Sequence, residues 1–200
     1  MTRFLLIRHA TTEAIGKRLA GRRPGVHLDE AGRRQAQVLA ERLSRLPVAA
    51  IYSSPLERTL ETAEPIAKLL GREVVSREEL LEIEFGEWTG KDFGELDPLP
   101  EFRCFNEFRS YSPVPGGEFM LQAQLRMVLG LDALRRLHPD ECVAVVSHGD
   151  MIRAAIAHYA GIPLDLFQRL EVSPASISTI DIDDRTVRLI GINDTVGIPA

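Results

Sequence analysis

The 200-residue sequence predicts an α/β domain, a three-layer α/β/α sandwich around a mostly parallel central sheet. Three observations lead there. Short uninterrupted apolar runs, FLLI at 4–7, VAAIYSS at 48–54 and CVAVV at 142–146, read as strands buried on both faces. Longer stretches with apolar residues at helical spacing separate them, the alternation that returns successive strands parallel. Finally, SISTIDID and TVRLIGI, around Asp183 and Asp184, read as a closing hairpin.

The elements follow in order. After FLLI the stretch TTEAIGKRLAGRRPGVH has no sustained period and reads as a loop. In LDEAGRRQAQVLAERLSRLP, residues Ala36, Leu39, Ala40, Leu43 and Leu46 fall on one helical face, with Asp29 as cap and Pro47 as stop. The second strand runs into SSPLERTLETAEPIAKLLG, where Ser54 is the expected cap, Pro55 the first helical residue and Glu57 the partner in a capping box. Pro65 is expected to kink or restart this helix, and Gly71 to end it. Residues 73–75 suggest a further strand before the acidic stretch SREELLEIEFGEWTG. From about 91 to 117 the text is rich in Phe, Pro, Gly and Asp with little regular period, as in a cap inserted over a site. A long helix is expected over 118–137 and another over MIRAAIAHYAG, ended by Gly161. No internal repeat is present, and one domain over 1–200 accounts for the length.

A chain with 44% hydrophobic and 26% charged residues buries a sizeable core without disulfides. A formal charge of -5 argues against a nucleic-acid or anionic-membrane surface while allowing a local cationic pocket. Cys104 and Cys142 form no CxxC; Cys142 opens an apolar run and reads as a buried thiol, which fits a reducing cytoplasm. No apolar run approaches the length of a membrane span, so the expected location is cytoplasmic.

Ligands in such sheets bind beyond the carboxyl ends of the strands. Here three strands end in functional side chains: Arg8 and His9 after FLLI, the SSPLER turn carrying Arg58, and Ser147, His148 and Gly149 after CVAVV. Each has a plain reading. Arg8 can pair with any acid, His9 can be a hydrogen-bonded structural residue, Arg58 can pair with Glu61, and His148 can bond locally. Yet an unpaired cation at the mouth of a buried strand is costly. Arg58 also stands in a first helical turn, where the macrodipole favours anions. Two imidazoles and two guanidiniums converging on one place suggest a phosphoryl site, with His9 as covalent nucleophile. No HExxH, P-loop or carboxylate cluster with metal spacing occurs, so neither metal nor cofactor is expected. The reaction needs an acid, and Glu78, Glu79, Glu82, Glu84 and Glu87 all qualify on chemistry alone.

Four segments, LLIRHATT, YSSPLERTLETA, LLEIEFGEWTG and VVSHGDMIRAAI, together resemble the histidine phosphatase superfamily, also called phosphoglycerate mutase-like. The resemblance implies a phosphohistidine mechanism. In it His9 is the nucleophile, Arg8, Arg58 and His148 bind the phosphate, and Glu82 is proton donor and then base. Three positions depart from the pattern: Ala10 stands where glycine is usual, Ile15 where asparagine is frequent, and Phe119 in PGGEF where a small hydroxyl residue is common. FGEWTG is similar to the phosphatase branch, and 91–117 is shorter than a mutase insertion. The expectation is a metal-independent, histidine acid phosphatase-type hydrolase of small phosphoric monoesters. Mutase-type transfer, a protein phosphohistidine phosphatase and a noncatalytic phospho-ligand module are the alternatives. The expected partner is a small phosphorylated substrate, with a homodimer left open.

Overall fold

A computed structural model describes residues 1–199. Six strands form one sheet: β1 (Thr2–Arg8), β2 (Val48–Ser53), β3 (Val74–Ser76), β4 (Cys142–Ser147), β5 (Ile177–Ile182) and β6 (Val187–Asp194), in the order β3-β2-β4-β1-β5-β6. The first four in that order run parallel, and β5 and β6 close the sheet as the expected antiparallel hairpin.

The central strands alternate between two cores. Phe4, Leu6, Val143 and Val145 join one apolar cluster, and Leu5, Ile7, Ala144 and Val146 join the other. Both faces of β1 and β4 are therefore covered, the physical reason their sequences are uninterruptedly apolar. Helices α1 (Glu30–Leu43) and α2 (Glu57–Leu70) cover one face. The other is covered by α5 (Met120–Leu137) and α6 (Gly149–Ala160). The insert is more regular than its sequence suggests: it holds α3 (Phe93–Leu96) and α4 (Pro100–Glu107), with Pro100 at the first helical position and Phe102 and Phe105 buried. Four- and eight-residue helices are too short to show a period. Among the described residues no helix is long and apolar enough to cross a membrane.

Several local expectations change. Asp29 caps α1, accepting from Gly32 N at 2.6 Å, but the helix ends at Leu43 and leaves Leu46 40% exposed. Ser54 and Pro55 lie outside α2, whose cap position is Leu56 with no side-chain bond, so the capping box does not form. Pro65 sits inside a helix that runs unbroken to Gly71; buried Ala63, Ile66 and Ala67 hold it against the sheet and outweigh the missing N–H. The third strand is one residue later than expected.

Candidate active site

The parallel strands end level. Arg8 is in register with Ser147 and Ser53 with Val146, and His9 N–H extends the ladder by donating to the Ser147 carbonyl at 2.9 Å. Residues following β1, β2 and β4 thus arrive at one edge of the sheet, around a cavity of ≈ 240 Å³ lined by Arg8, His9, Arg58 and Glu82.

His9 is 5% exposed, and its Nδ1 faces the Ala10 carbonyl at 2.8 Å. A carbonyl only accepts, so Nδ1 carries the proton and Nε2 keeps its lone pair. Arg58 Nε donates toward that Nε2 at 3.3 Å. Burial first, then the charges of Arg58 and Arg8, hold the imidazole pKa well below 6.5. The ring is a neutral base with its reactive nitrogen beside two cations.

Arg58, 2% exposed, donates through Nη2 to the Gly21 carbonyl at 2.8 Å and to His148 Nδ1 at 3.1 Å. His148 Nε2 in turn faces Ser54 Oγ at 2.8 Å. Ser54 therefore orients this histidine rather than capping α2. His148 is fully buried beside Arg58, its ring centroid 5.4 Å from that of His9 in an edge-on arrangement, and burial followed by the charge of Arg58 keeps it neutral. It supports the arginine instead of lining the cavity. Arg8 is anchored by Nη1 on the Val172 carbonyl at 2.6 Å. It lies against the start of α6, where a Cβ on Gly149 would stand 3.2 Å from Arg8 Nε, so a residue without a side chain suits that approach.

Three buried guanidinium nitrogens, Arg8 Nε, Arg58 Nη1 and Arg109 Nε, have no partner among the described residues. Neither α2 nor α6 has a side-chain N-cap bond. Unpaired cationic donors at two helix N-termini are what a phosphoryl group would satisfy.

Of the five candidate glutamates only Glu82 lines the cavity. Glu78 and Glu87 are exposed, and Glu84 turns to the Gly86 N–H at 3.3 Å. Burial first, then the charge of Asp150, push the Glu82 pKa up to about 7, against Arg58, the Ile83 N–H and Arg8. The backbone behind it is braced: Arg22 Nε and Arg126 Nη2 donate to the Glu82 carbonyl at 2.7 and 3.4 Å, and both arginines bond Glu118. FGEWTG and PGGEF press together at their glycines. A Cβ on Gly86 would lie 2.2 Å from the Pro115 carbonyl oxygen, and one on Gly117 2.3 Å from that of Glu84.

A match to the histidine phosphatase superfamily (branch 1) family model extends over residues 4–195. The chain belongs to this superfamily. It is similar to phosphoserine phosphatase 1 of Hydrogenobacter thermophilus, 34% identical over 200 residues that cover 98% of this chain and 93% of that one. Among solved structures, Bacillus stearothermophilus YhfR matches with a TM-score of 0.88 at 29% identity, covering 97% of this chain and 98% of its own. Native mycobacterial glucosyl-3-phosphoglycerate phosphatase matches at 0.86 and 27%, covering 96% and 98%.

The departures from the superfamily pattern are accommodated without strain. Ala10 is fully buried in the core and does not have positive φ, so its methyl carries no backbone penalty. Thr11 turns away to Asp29 Oδ1 at 2.8 Å, whereas Thr12 and Ile15 line the cavity. Phe119 lies outside the cavity lining, at the start of α5. Of the aromatic residues in the insert, Phe93, Phe102 and Phe105 line the cavity, while Phe108 and Tyr111 are 48% and 74% exposed. Sequence reasoning missed Arg109, Asp150 and Arg153 in the wall. The i, i+3 pairing of Asp150 with Arg153 just after SHG was a readable signal; the reach of Arg109 to Asp150 was not, since it spans 41 positions.

Proposed function

We propose that this chain is a phosphomonoesterase working through a phosphohistidine on His9. The observation that carries the reading is His9, its Nδ1 proton held by the Ala10 carbonyl and its Nε2 lone pair approached by Arg58 Nε, in a cavity lined by Glu82 and by Arg8, Arg58 and Arg109, each with one unpartnered guanidinium nitrogen. Arg8 and Arg58 would donate to the phosphoryl oxygens through their unpartnered nitrogens and stabilise the charge spread over them in transfer. His9 Nε2 attacks phosphorus, the P–O bond to the alcohol breaks, and Glu82 gives its proton to the leaving oxygen. The Glu82 carboxylate then takes a proton from water, whose oxygen attacks phosphorus as the N–P bond breaks. Inorganic phosphate leaves, and both His9 and Glu82 return to their starting states. His148 would act through Arg58, fixing the guanidinium plane.

Small phosphate esters suit a cavity of ≈ 240 Å³, in keeping with the phosphatases named among the relatives. The test is hydrolysis of p-nitrophenyl phosphate, with chelator present, by the wild type and His9→Ala, with alkali-quenched protein assayed for base-stable, acid-labile phosphate. Turnover and labelling that both vanish in the variant are expected. Undiminished turnover in His9→Ala would remove the nucleophile from this scheme.

A further inference from the structure

Asp150 is an unexpected group in an anion site, a carboxylate in the same cavity wall as Arg8 and Arg58. It occupies the second position of α6, two residues after His148. Its Oδ2 accepts from Arg109 Nη1 at 2.8 Å, and its Oδ1 faces Arg153 Nη1 at 3.3 Å. Arg109 is itself clamped. It is 5% exposed, its guanidinium carbon lies 4.2 Å from the Phe105 ring centroid and 4.9 Å from that of Phe167, and Nη2 donates to Asn106 Oδ1 at 2.7 Å. An acid serving only the α6 dipole needs no buried, ring-stacked arginine reaching over from the insert.

Glu82 supplies a reason for this construction. To donate a proton near neutral pH it must be uncharged, yet it shares its cavity with Arg8 from β1, Arg58 from α2, Arg18 from the loop after β1, Arg109 from the insert and Arg153 from α6. Arg22 and Arg126 reach its carbonyl from a loop and from α5, but Glu118 bonds both and offsets them. His9 and His148 are neutral and add no charge. Among the described residues lining the cavity, Asp150 is the one carboxylate besides Glu82.

We propose that Asp150 is a positioning residue for proton transfer: clamped by Arg109 and Arg153, its negative charge holds Glu82 in the proton-bearing form against Arg8 and Arg58. This rests on the reading of Glu82 as the acid. The electrostatics agree with the geometry: burial works against the Asp150 charge, but Arg109 and Arg153 outweigh it and keep that carboxyl below its ordinary range.

The test titrates Glu82 by carboxyl 13C NMR in the full-length protein, with Glu82→Gln assigning the resonance. The wild-type midpoint is expected at about 7. Asp150→Asn and Asp150→Ser should lower it by on the order of one pH unit, and Asp150→Glu should restore it. The alkaline limb of kcat/KM for an alkyl phosphate should move with that midpoint, while the limb for p-nitrophenyl phosphate, which leaves unaided, stays put. A purely structural role for Asp150 would lower both substrates together and leave the midpoint alone. Should neither neutral variant fold, Arg109→Gln keeps Asp150 while stripping a counter-charge, and the midpoint should rise. A midpoint unmoved in folded Asp150→Asn and Asp150→Ser, or unmoved or lowered in Arg109→Gln, overturns the proposal. The titration needs no turnover, so an active enzyme whose Glu82 ignores Asp150 refutes only this coupling, whereas loss of the His9 chemistry refutes the phosphatase reading.

Discussion

Replacing Glu82 by Gln should remove the proton donor and yet make the folded protein more stable in alkaline solution. The carboxyl titrates at about 7 in the fold against an ordinary 4.5. Because the folded pKa is the higher one, the favourable contribution of the protonated group is complete below 4.5 and is lost as pH rises through about 7. At 1.36 kcal/mol per pH unit, the wild type loses about 2.5 kcal/mol between pH 5 and pH 8.5 relative to a neutral isostere. Glu82 borders the cavity, and screening there trims the figure to about 2 kcal/mol. In a chain of 200 residues that corresponds to a relative gain in Tm of roughly 4 to 8 °C for Glu82→Gln at the higher pH. Calorimetry of the two proteins at both pH values checks this, since the histidine contributions cancel in the difference. A Tm difference independent of pH would mean that Glu82 is already ionised at neutral pH and is not the acid. Activity should fall by roughly 10²- to 10⁴-fold on alkyl phosphates and far less on p-nitrophenyl phosphate.

Two further outcomes follow from packing and burial. Gly86→Ala should destabilise the fold by roughly 2 to 4 kcal/mol, because its φ of +45° and the Pro115 carbonyl oxygen 2.2 Å from a built Cβ combine left-handed strain with a backbone clash. Gly25→Ala, with φ +76° and nothing within 4 Å of the added atom, should cost only about 1 kcal/mol, and equal urea midpoints for the two variants would refute the packing argument. In the Glu82→Gln background, stability should fall as pH drops below 6.5, since His9 and His148 are held neutral in the fold but take up protons once unfolded. Urea midpoints measured from pH 7 to 5 that show no such fall would mean that one or both rings are already charged in the native state.

Much of this molecule is legible in its sequence, for a physical reason. A strand covered on both faces must be apolar throughout, so β1, β2 and β4 announce themselves, and so do the side chains delivered where they end. The site's base, Arg8, His9 and Arg58, follows from that logic. The identity of the acid does not: five glutamates within ten residues are chemically equivalent until the fold brings only Glu82 of the five into the cavity lining. Ser54 misleads because a cap and a histidine partner demand the same hydroxyl, and only the fold brings His148 within 2.8 Å of it. Arg109 also has local partners in Phe105 and Asn106, but those that place it in the cavity wall, Asp150 and Phe167, lie 41 and 58 positions further along the chain and meet it only in the tertiary fold.

The placement of Arg8 and Arg58, the two arginines proposed to hold phosphate, carries a cost that explains their surroundings. Arg58 lies in the first turn of α2 and Arg8 against the first residue of α6, both positions where the helix dipole opposes a cation by a few tenths to about 1 kcal/mol. Burial opposes them further, and it is the largest influence lowering the pKa of each. Backbone carbonyls of Val172 and Gly21 compensate in part by taking one nitrogen from each fork. Complete compensation would spoil the site: an acid paired directly with Arg8 or Arg58 would occupy the donors a phosphoryl group needs. Carbonyls orient the forks without neutralising them, and the acidic charge is held aside on Asp150, between Arg109 and Arg153. The same separation leaves His9 neutral beside uncompensated cations and Glu82 protonated near a fixed anion. The opposite electrostatic demands of the proposed nucleophile and the proposed acid are thus met within one cavity of ≈ 240 Å³.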